Sequence, residues 1–350
     1  MKPEWALADV RAAGSISLFD GGDFGPVARR VVRTAVAPAR AGWGEGARVG
    51  IVFNRRAHGN VSREDTSPAG RADLDWASPG TQAELSATLK RFAERQIDVL
   101  IVDGGDGTIR DVLTAAKAHF HGRLPTVAVV PSGKTNALAI DLGIPRDWSL
   151  RDALQLVGTG GIEQRTPIEI HRVGSAEPAL CGFLFGAGAF VRATALVQRA
   201  HRLGAFHGVA VGLSLAGAIA QTIFGGRNNR WRQGDAMRVE LSDGRRFDEA
   251  FYLLLGTTLD RLPLGLKPFG RARSGFKLLA VDAPPRHILT SLPALLTGSE
   301  AAWLDARGYH HGDADSFRIS LDSGFVLDGE TYEGGDFIIR RGAAMNFLVP

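Results

Sequence analysis

Between residues 48 and 145, short runs of uninterrupted apolar residues alternate with stretches of helical periodicity, and this limits the possible folds more than any other feature. A strand that is apolar at every position has no side suited to water. It must be covered on both faces, which is the situation of a parallel sheet with helices above and below. The runs lie at 48–53, 98–102 and 126–130. Helices are predicted at 81–95, where Leu85, Leu89 and Phe92 recur at helical spacing, at 109–120 and at 137–142. Gly143 and Pro145 close the last of these. Residues 55–80 are polar and rich in Gly, Pro, Asp and Ser, and predict a long functional loop. In such sheets ligands bind at the carboxyl ends of the strands. Both glycine-rich loops of this chain, DGGDGT and PSGKTN, are expected there.

From residue 166 the pattern changes to short alternating runs at 168–172, 180–185, 237–241, 250–255, 276–281 and 317–321. Helical stretches near 193–224 and 286–297 interrupt them. Alternation gives one buried and one wet face, so the expected second domain is an antiparallel β-sandwich. The chain of 350 residues then divides into an extension (1–46), a doubly wound α/β domain (47–165) and the sandwich (166–350), whose last strands are free to return to the first domain.

Composition narrows the function classes. Hydrophobic residues make up 45% and charged residues 22%, which excludes a mainly disordered chain. The single cysteine, Cys181, excludes an internal disulfide and a multi-cysteine metal site, and is expected to be a buried small hydrophobe. The net charge of +4 is too small to argue for nucleic acid and favours an anionic partner such as a membrane surface or nucleotide phosphates. Glu4, Asp9 and Arg11 argue against a secretory core at the start. The stretch 206–224 has only His207 titratable and reaches the lower edge of a membrane span. Its Gly, Ala, His and Gln content points instead to a buried or membrane-leaning helix. The pair His310-His311 has no neighbouring Cys or carboxylate at metal-ligand spacing and reads as loop.

The strongest chemical signal is Asp103-Gly104-Gly105-Asp106-Gly107-Thr108, between a strand and a helix. Adjacent glycines let backbone approach a bulky anion, and a helix amino end offers free N–H groups and positive partial charge. Asp106 inside an anion site implies work on a metal ion or a reacting hydroxyl. A tight turn with Asp106 as N-cap is the alternative.

These residues resemble a known family. GGDGT after an apolar strand is similar to the catalytic domain shared by diacylglycerol, sphingosine and ceramide kinases. NAD kinases carry the same motif and phosphofructokinases a close variant. The second loop separates them. The lipid kinases have a proline, a GTGN-like turn and an apolar helix ending Leu-Gly-Ile-Pro. This chain has Pro131-Ser132-Gly133-Lys134-Thr135-Asn136 and then Leu142-Gly143-Ile144-Pro145. Asp328-Gly329-Glu330 resembles the family's Asp-Gly-Glu turn, and the strand ending at Asn54 its Asn-Pro-x-Ser-Gly phosphate loop. The matches follow the family's order over about residues 47–350. Departures mark a divergent branch. Arg55-Arg56-Ala57-His58-Gly59 lacks the family's Pro and Ser, and Lys134 replaces a glycine. Ala137 stands where Asp is frequent, Arg110-Asp111 where Asn-Glu is usual, and residues 274–278 where Asp-Gly-x-Leu-Asp is common.

The resemblance implies an ATP-dependent lipid kinase using Mg²⁺. Gly104, Gly105, Gly107 and Gly133 would hold phosphates by backbone N–H groups, with Thr108, Thr135, Asn136 and Asn54 adding donors and Lys134 a cation. Ser78, Thr81 and Asp111 would lie near the nucleotide. Asp328 is the first choice for the base that accepts the hydroxyl proton, with Asp106 the second. Asp106 and Glu330 are the candidate metal ligands, Glu330 being able instead to hold Asp328 in place. A plain hairpin turn is the alternative for Asp328-Gly329. The lipid would be presented by a membrane, the protein being cytoplasmic and peripheral on the inner face, with no nucleic acid and no stable protein partner. The stretch 206–224 and the segment 259–269 are candidates for the tail pocket or the membrane contact, with Arg227, Arg230 and Arg232 suited to an anionic surface. No acid occurs at 186–194, which disfavours a free sphingoid amine and leaves ceramide, favoured, and diacylglycerol. Two rivals remain open: an NAD kinase-like enzyme with a soluble acceptor, and a lipid-binding or sensor protein with an inactive kinase site.

Overall fold

The structure, a computed structural model, describes residues 46–61, 73–121, 124–175, 179–202, 230–242, 244–273 and 275–350. The expected extension and the apolar stretch 206–224 therefore lie outside the described residues, apart from Gly46.

Six strands form the first sheet: β1 (Val49–Phe53), β2 (Leu74–Ala77), β3 (Val99–Gly104), β4 (Thr126–Pro131), β5 (Gly161–Arg165) and β17 (Met345–Val349). Their order is β2-β1-β3-β4-β17-β5, parallel except for β5 at the edge. Successive residues of the central strands supply two separate cores. Val52, Leu100, Val102, Val127 and Val129 meet Leu85, Leu89 and Phe92 of α1 (Gln82–Glu94) and Ile109, Val112 and Leu113 of α2 (Asp106–His119). Leu138 and Leu142 of α3 (Ala137–Leu142) join the same layer. Val49, Ile51, Val99, Ile101 and Val130 face the other way, against Ala153 of α4 (Leu150–Gln155). This double coverage is why the runs are apolar at every position.

Two details differ from expectation. The predicted loop at 55–80 contains β2, a four-residue edge strand whose Trp76 stacks on Phe53 at 5.1 Å and whose Asp75 takes Arg91 and Arg95. Four half-buried residues give too little alternation to read. Helix α2 begins at Asp106 rather than 109, so the end of the glycine motif forms its first turn.

The expected two-layer sandwich is a single antiparallel sheet of eleven strands curled around one core. Its strands are β6 (Ile168–Arg172), β7 (Leu180–Gly182), β8 (Leu184–Gly188), β9 (Asp235–Leu241), β10 (Arg246–Thr257), β11 (Phe276–Asp282), β12 (Tyr309–Ala314), β13 (Ser316–Leu321), β14 (Phe325–Leu327), β15 (Glu330–Tyr332) and β16 (Gly335–Arg341). The long β10 makes the curl. Its first half pairs with β9 and its second half with both β8 and β11, across an irregularity between Phe251 and Leu253. Phe185, Phe251, Phe276, Phe317, Phe325 and Phe337 fill the interior. The run at 180–185 splits into β7 and β8 because the N–H of Phe183 leaves the ladder for the Asp328 carboxylate.

Helices α5 (Ala189–Arg202), α6 (Arg230–Gln233), α7 (Ile288–Leu296) and α8 (Ala302–Asp305), with a 3-10 turn at Pro263–Gly265, complete the described elements. No helix among the described residues is long and apolar enough to cross a membrane. The His310-His311 pair is not loop but part of β12. His310 Nδ1 lies 2.5 Å from Asp305 and its Nε2 3.3 Å from Asp282. Burial opposes the imidazolium, but the two carboxylates outweigh it and raise its pKa. Cys181 is fully buried, and burial pushes its thiol up to about 12.

The two glycine loops touch. A Cβ built on Gly133 would stand 2.4 Å from Gly105 Cα and 2.7 Å from Asn136 Oδ1. Gly133→Ala should therefore force the loops apart and cost about 1–3 kcal/mol, read as a lower Tm. An unchanged Tm would mean the loops have room to spare.

Candidate active site

The site is held by a residue that the motif contains but that sequence reasoning gave no role. Asp103, next to last in β3, is fully buried, and its carboxylate accepts Asn60 Nδ2 at 2.8 Å and Ser132 Oγ at 2.5 Å. Its carbonyl accepts the N–H of Asn54 at 2.9 Å. The N–H of Gly59 donates to Ser132 O, and the N–H of Ser132 to Gly104 O. The loops after β1, β3 and β4 are thereby tied into one unit. A charged residue closing a fully buried apolar strand was the available signal.

On one side of this knot a cavity of about 470 Å³ is bordered by Asn54, Arg55, Arg56, Ser78, Thr108 and Asp111, among others. Asn54 Nδ2 donates to Thr108 Oγ1 at 2.7 Å, and Asn54 Oδ1 accepts the N–H of Arg56 at 2.9 Å. Gly104 cannot carry a side chain, since a Cβ there would meet Thr108 at 2.6 Å. Gly105 is the N-cap of α2 and provides no side-chain cap. The first-turn N–H groups of this fourteen-residue helix, Gly107 included, have no intrahelical acceptor, as helix geometry requires. Thr81, which also borders the cavity, caps α1 by accepting the N–H of Glu84.

The second loop is arranged differently from expectation. Asn136 sits in the left-handed region with φ 53°. Its Oδ1 accepts the N–H of Gly133 at 2.8 Å, and its Nδ2 donates to Gly133 O and Pro131 O. The amide shapes its own turn rather than reaching out as a donor. Lys134 and Thr135 are exposed on that turn.

Asp106 is not the N-cap of its own helix. It accepts backbone N–H groups at the start of α3, that of Leu138 at 3.3 Å, with Ala137 and Asn136 contributing. Burial raises its pKa despite these donors. Asp328 and Gly329, at φ 47° and 82°, form the two-residue turn between β14 and β15, so the hairpin alternative describes the backbone correctly. The side chain is nonetheless specifically held. It accepts the N–H of Phe183 at 3.1 Å and that of Leu184 at 2.9 Å. A solvent-accessible edge remains, yet enclosure by protein, with the Asp106 charge second, raises its pKa to about 7. Glu330, the next residue but one, is exposed on β15.

Arg110 joins the two halves. Its side chain is 7% exposed, bonds Asp111 at 2.8 Å, donates to Leu327 O at 3.2 Å and lies over the Tyr332 ring. Burial works against its charge, but Asp111 prevails and raises its pKa. Among the described residues, no group of three or more His, Cys, Asp and Glu could by itself cage a metal. Two carboxylates whose charges repel, Asp106 and Asp328, do suit a cation that arrives with its own phosphate ligands.

A parallel sheet with paired glycine loops thus faces an acidic hairpin from a curled antiparallel sheet. The diacylglycerol kinase catalytic domain matches residues 61–170, and the chain is similar to bacterial proteins named as lipid kinases. It is 40% identical over 84 residues to a diacylglycerol kinase of Bacillus subtilis, which is 24% of this chain and 26% of that one. It is 26% identical over 292 residues to a protein of Salmonella newport named probable lipid kinase YegS, covering 80% and 90% of the two chains. A solved structure of a diacylglycerol kinase from Bacillus anthracis superposes with a TM-score of 0.57 at 13% identity, covering 88% of this chain and 98% of that one.

In the unfolded chain Asp328 loses its proton near the ordinary value of 3.8, and in the folded protein near 7. Between those values the folded state holds a proton that the unfolded chain has released, so rising pH subtracts stability. Asp328→Asn has no such proton. Without nucleotide or metal, the variant should gain on the wild type in thermal denaturation as pH rises through this window, with the gap constant above it. Parallel stability curves would contradict the raised pKa.

Proposed function

We propose that this protein transfers the γ-phosphoryl group of ATP to the hydroxyl of a lipid presented at the inner face of a membrane, where the protein is peripheral. The observation that carries this is Asp328, a carboxylate with a pKa of about 7 that feels the charge of Asp106, next to the glycine loops. A base poised near neutral pH can take the hydroxyl proton as the oxygen attacks phosphorus.

The residues divide the work. N–H groups at the start of α2, with Asn54 and Thr108 at the edge of the cavity, bind the triphosphate. Lys134 and Arg56 add positive charge around it, and Ser78 borders the same cavity. Asp106 would hold Mg²⁺, which when bound would supply neutralisation of phosphate charge, leaving Asp328 to act as the base. Glu330 is the further candidate ligand, from the exposed end of the turn. Arg110, through Leu327 O, keeps the Asp328 turn at its height above α2.

The acceptor class is supported by relatives named as lipid and diacylglycerol kinases. Around β8 and the start of α5 the chain offers Arg192, paired to Asp235, and no acid between 186 and 194 for a sphingoid amine. Ceramide is the favoured acceptor, diacylglycerol the alternative. The second reading, a lipid-binding protein without turnover, is favoured by Lys134, Ala137 and the altered loop after Asn54.

The test is to incubate purified protein with Mg-ATP labelled at the γ-phosphate and ceramide, diacylglycerol or sphingosine in mixed micelles. Label is expected in ceramide or diacylglycerol. Asp328→Asn should lower the rate by about 10²-fold or more while ATP binding persists. Label in no lipid, from folded protein that binds ATP, would overturn the proposal.

A further inference from the structure

We propose that the turn at 262–269 is a membrane anchor that seats the protein on an anionic bilayer through a protruding leucine and flanking cations. This specifies how the lipid-kinase reading meets its substrate surface, but it stands on features of its own.

Leu264 is 89% exposed, the most exposed large apolar side chain among the described residues. It occupies φ 62°, a conformation that favours glycine, between Pro263 and Gly265. Single exposed leucines are ordinary. A leucine held out in strained backbone at the tip of a turn, with Leu266 also exposed two residues on, is a more specific arrangement. The turn is rigid. Leu262 and Phe269 root its two ends in the core with Leu295 and Leu304. The N–H of Lys267 donates to Leu296 O, and that of Gly270 to Lys267 O.

The surroundings carry the matching charge. Arg261, Lys267 and Arg271 are exposed on either side of the leucines. Among the described residues neither Arg261 nor Lys267 has an acidic partner, while the Arg271 guanidinium meets Glu300 at 3.5 Å and its backbone N–H donates to the same carboxylate. The adjoining cavity of about 970 Å³ is bordered by five cationic side chains against two carboxylates, Asp260 and Glu300. Apolar insertion with a basic rim is complementary to an anionic headgroup layer. An acidic protein would use the cations but leave Leu264 without a role.

The anchor is also mechanically tied to the site. Buried Asp141, on α3, accepts the N–H groups of Asp260 at 2.7 Å and Arg261 at 2.6 Å, and pairs with Arg165. The same short helix is held at its start by Asp106. Seating the turn on the bilayer therefore fixes the glycine loops relative to the lipid surface.

The experiment is sedimentation of the full chain with vesicles of phosphatidylcholine alone or mixed with phosphatidylglycerol. The wild type should bind the mixed vesicles and lose binding as salt rises. Leu264→Gly suits the backbone and should keep the fold and ATP binding, yet bind about tenfold more weakly. Lys267→Glu should weaken binding about fivefold or more. Ile338→Ser, at an exposed apolar position on β16, should change nothing. The proposal is overturned if the wild type ignores anionic lipid, if both turn variants bind like the wild type, or if Ile338→Ser weakens binding as much as they do. Vesicle binding needs no turnover, so loss in the turn variants would uphold the anchor even if no lipid were phosphorylated.

Discussion

A single buried carboxylate organises the glycine-loop end of this molecule. Asp103 closes a fully apolar strand, where an unpaired charge would be expensive. It is tolerated because Asn60, from the loop after β1, and Ser132, from the loop after β4, both donate to it. The requirement to satisfy that charge draws three loops to one point. Once there, they are close enough that Gly105 and Gly133 leave no room for a side chain. The glycines thus serve contact between loops as well as approach to a ligand.

The second organising contact spans the two sheets. Asp328 is held in the left-handed region by a two-residue turn, with its carboxylate on the backbone of Phe183 and Leu184. That interaction interrupts a strand that would otherwise run through. Arg110 from α2 bonds the carbonyl just before the turn, and Lys117, about two helical turns further along α2, pairs with Glu169 of β6. The junction is therefore made by charged groups from one helix, each matched by a partner from the curled sheet. Such groups fix orientation more than they add stability, because desolvation offsets much of their attraction. Precise orientation is what transfer between two bound groups demands.

Legibility varied with the range of the interaction. The strands and helices of residues 48–145 were readable because double coverage writes a continuous apolar run into each strand. The glycine loops, Asn54, Asp106 and Asp328 stood out as local motifs. Partners set by distant residues did not. Asn60 and Asp141 are ordinary polar residues in sequence, and only the fold shows one bound to Asp103 and the other holding the backbone at 260–261. His310 read as loop because its carboxylate partners come from β11 and from α8. Asn136 reads locally as a phosphate donor, whereas in the fold its amide closes its own turn.

Local sequence carries the class of each sheet and the position of the two glycine loops at strand ends. These follow from periodicity and short motifs, which act over a few residues. Tertiary structure alone decided that the second domain is one curled sheet rather than two layers, since alternation is the same in both and only the forked pairing of β10 separates them. It decided also that Asp328 titrates near neutrality, because that depends on enclosure and on the charge of Asp106, 222 residues away in the chain. Burial and through-space charge are properties of the packed molecule, and no local pattern encodes them.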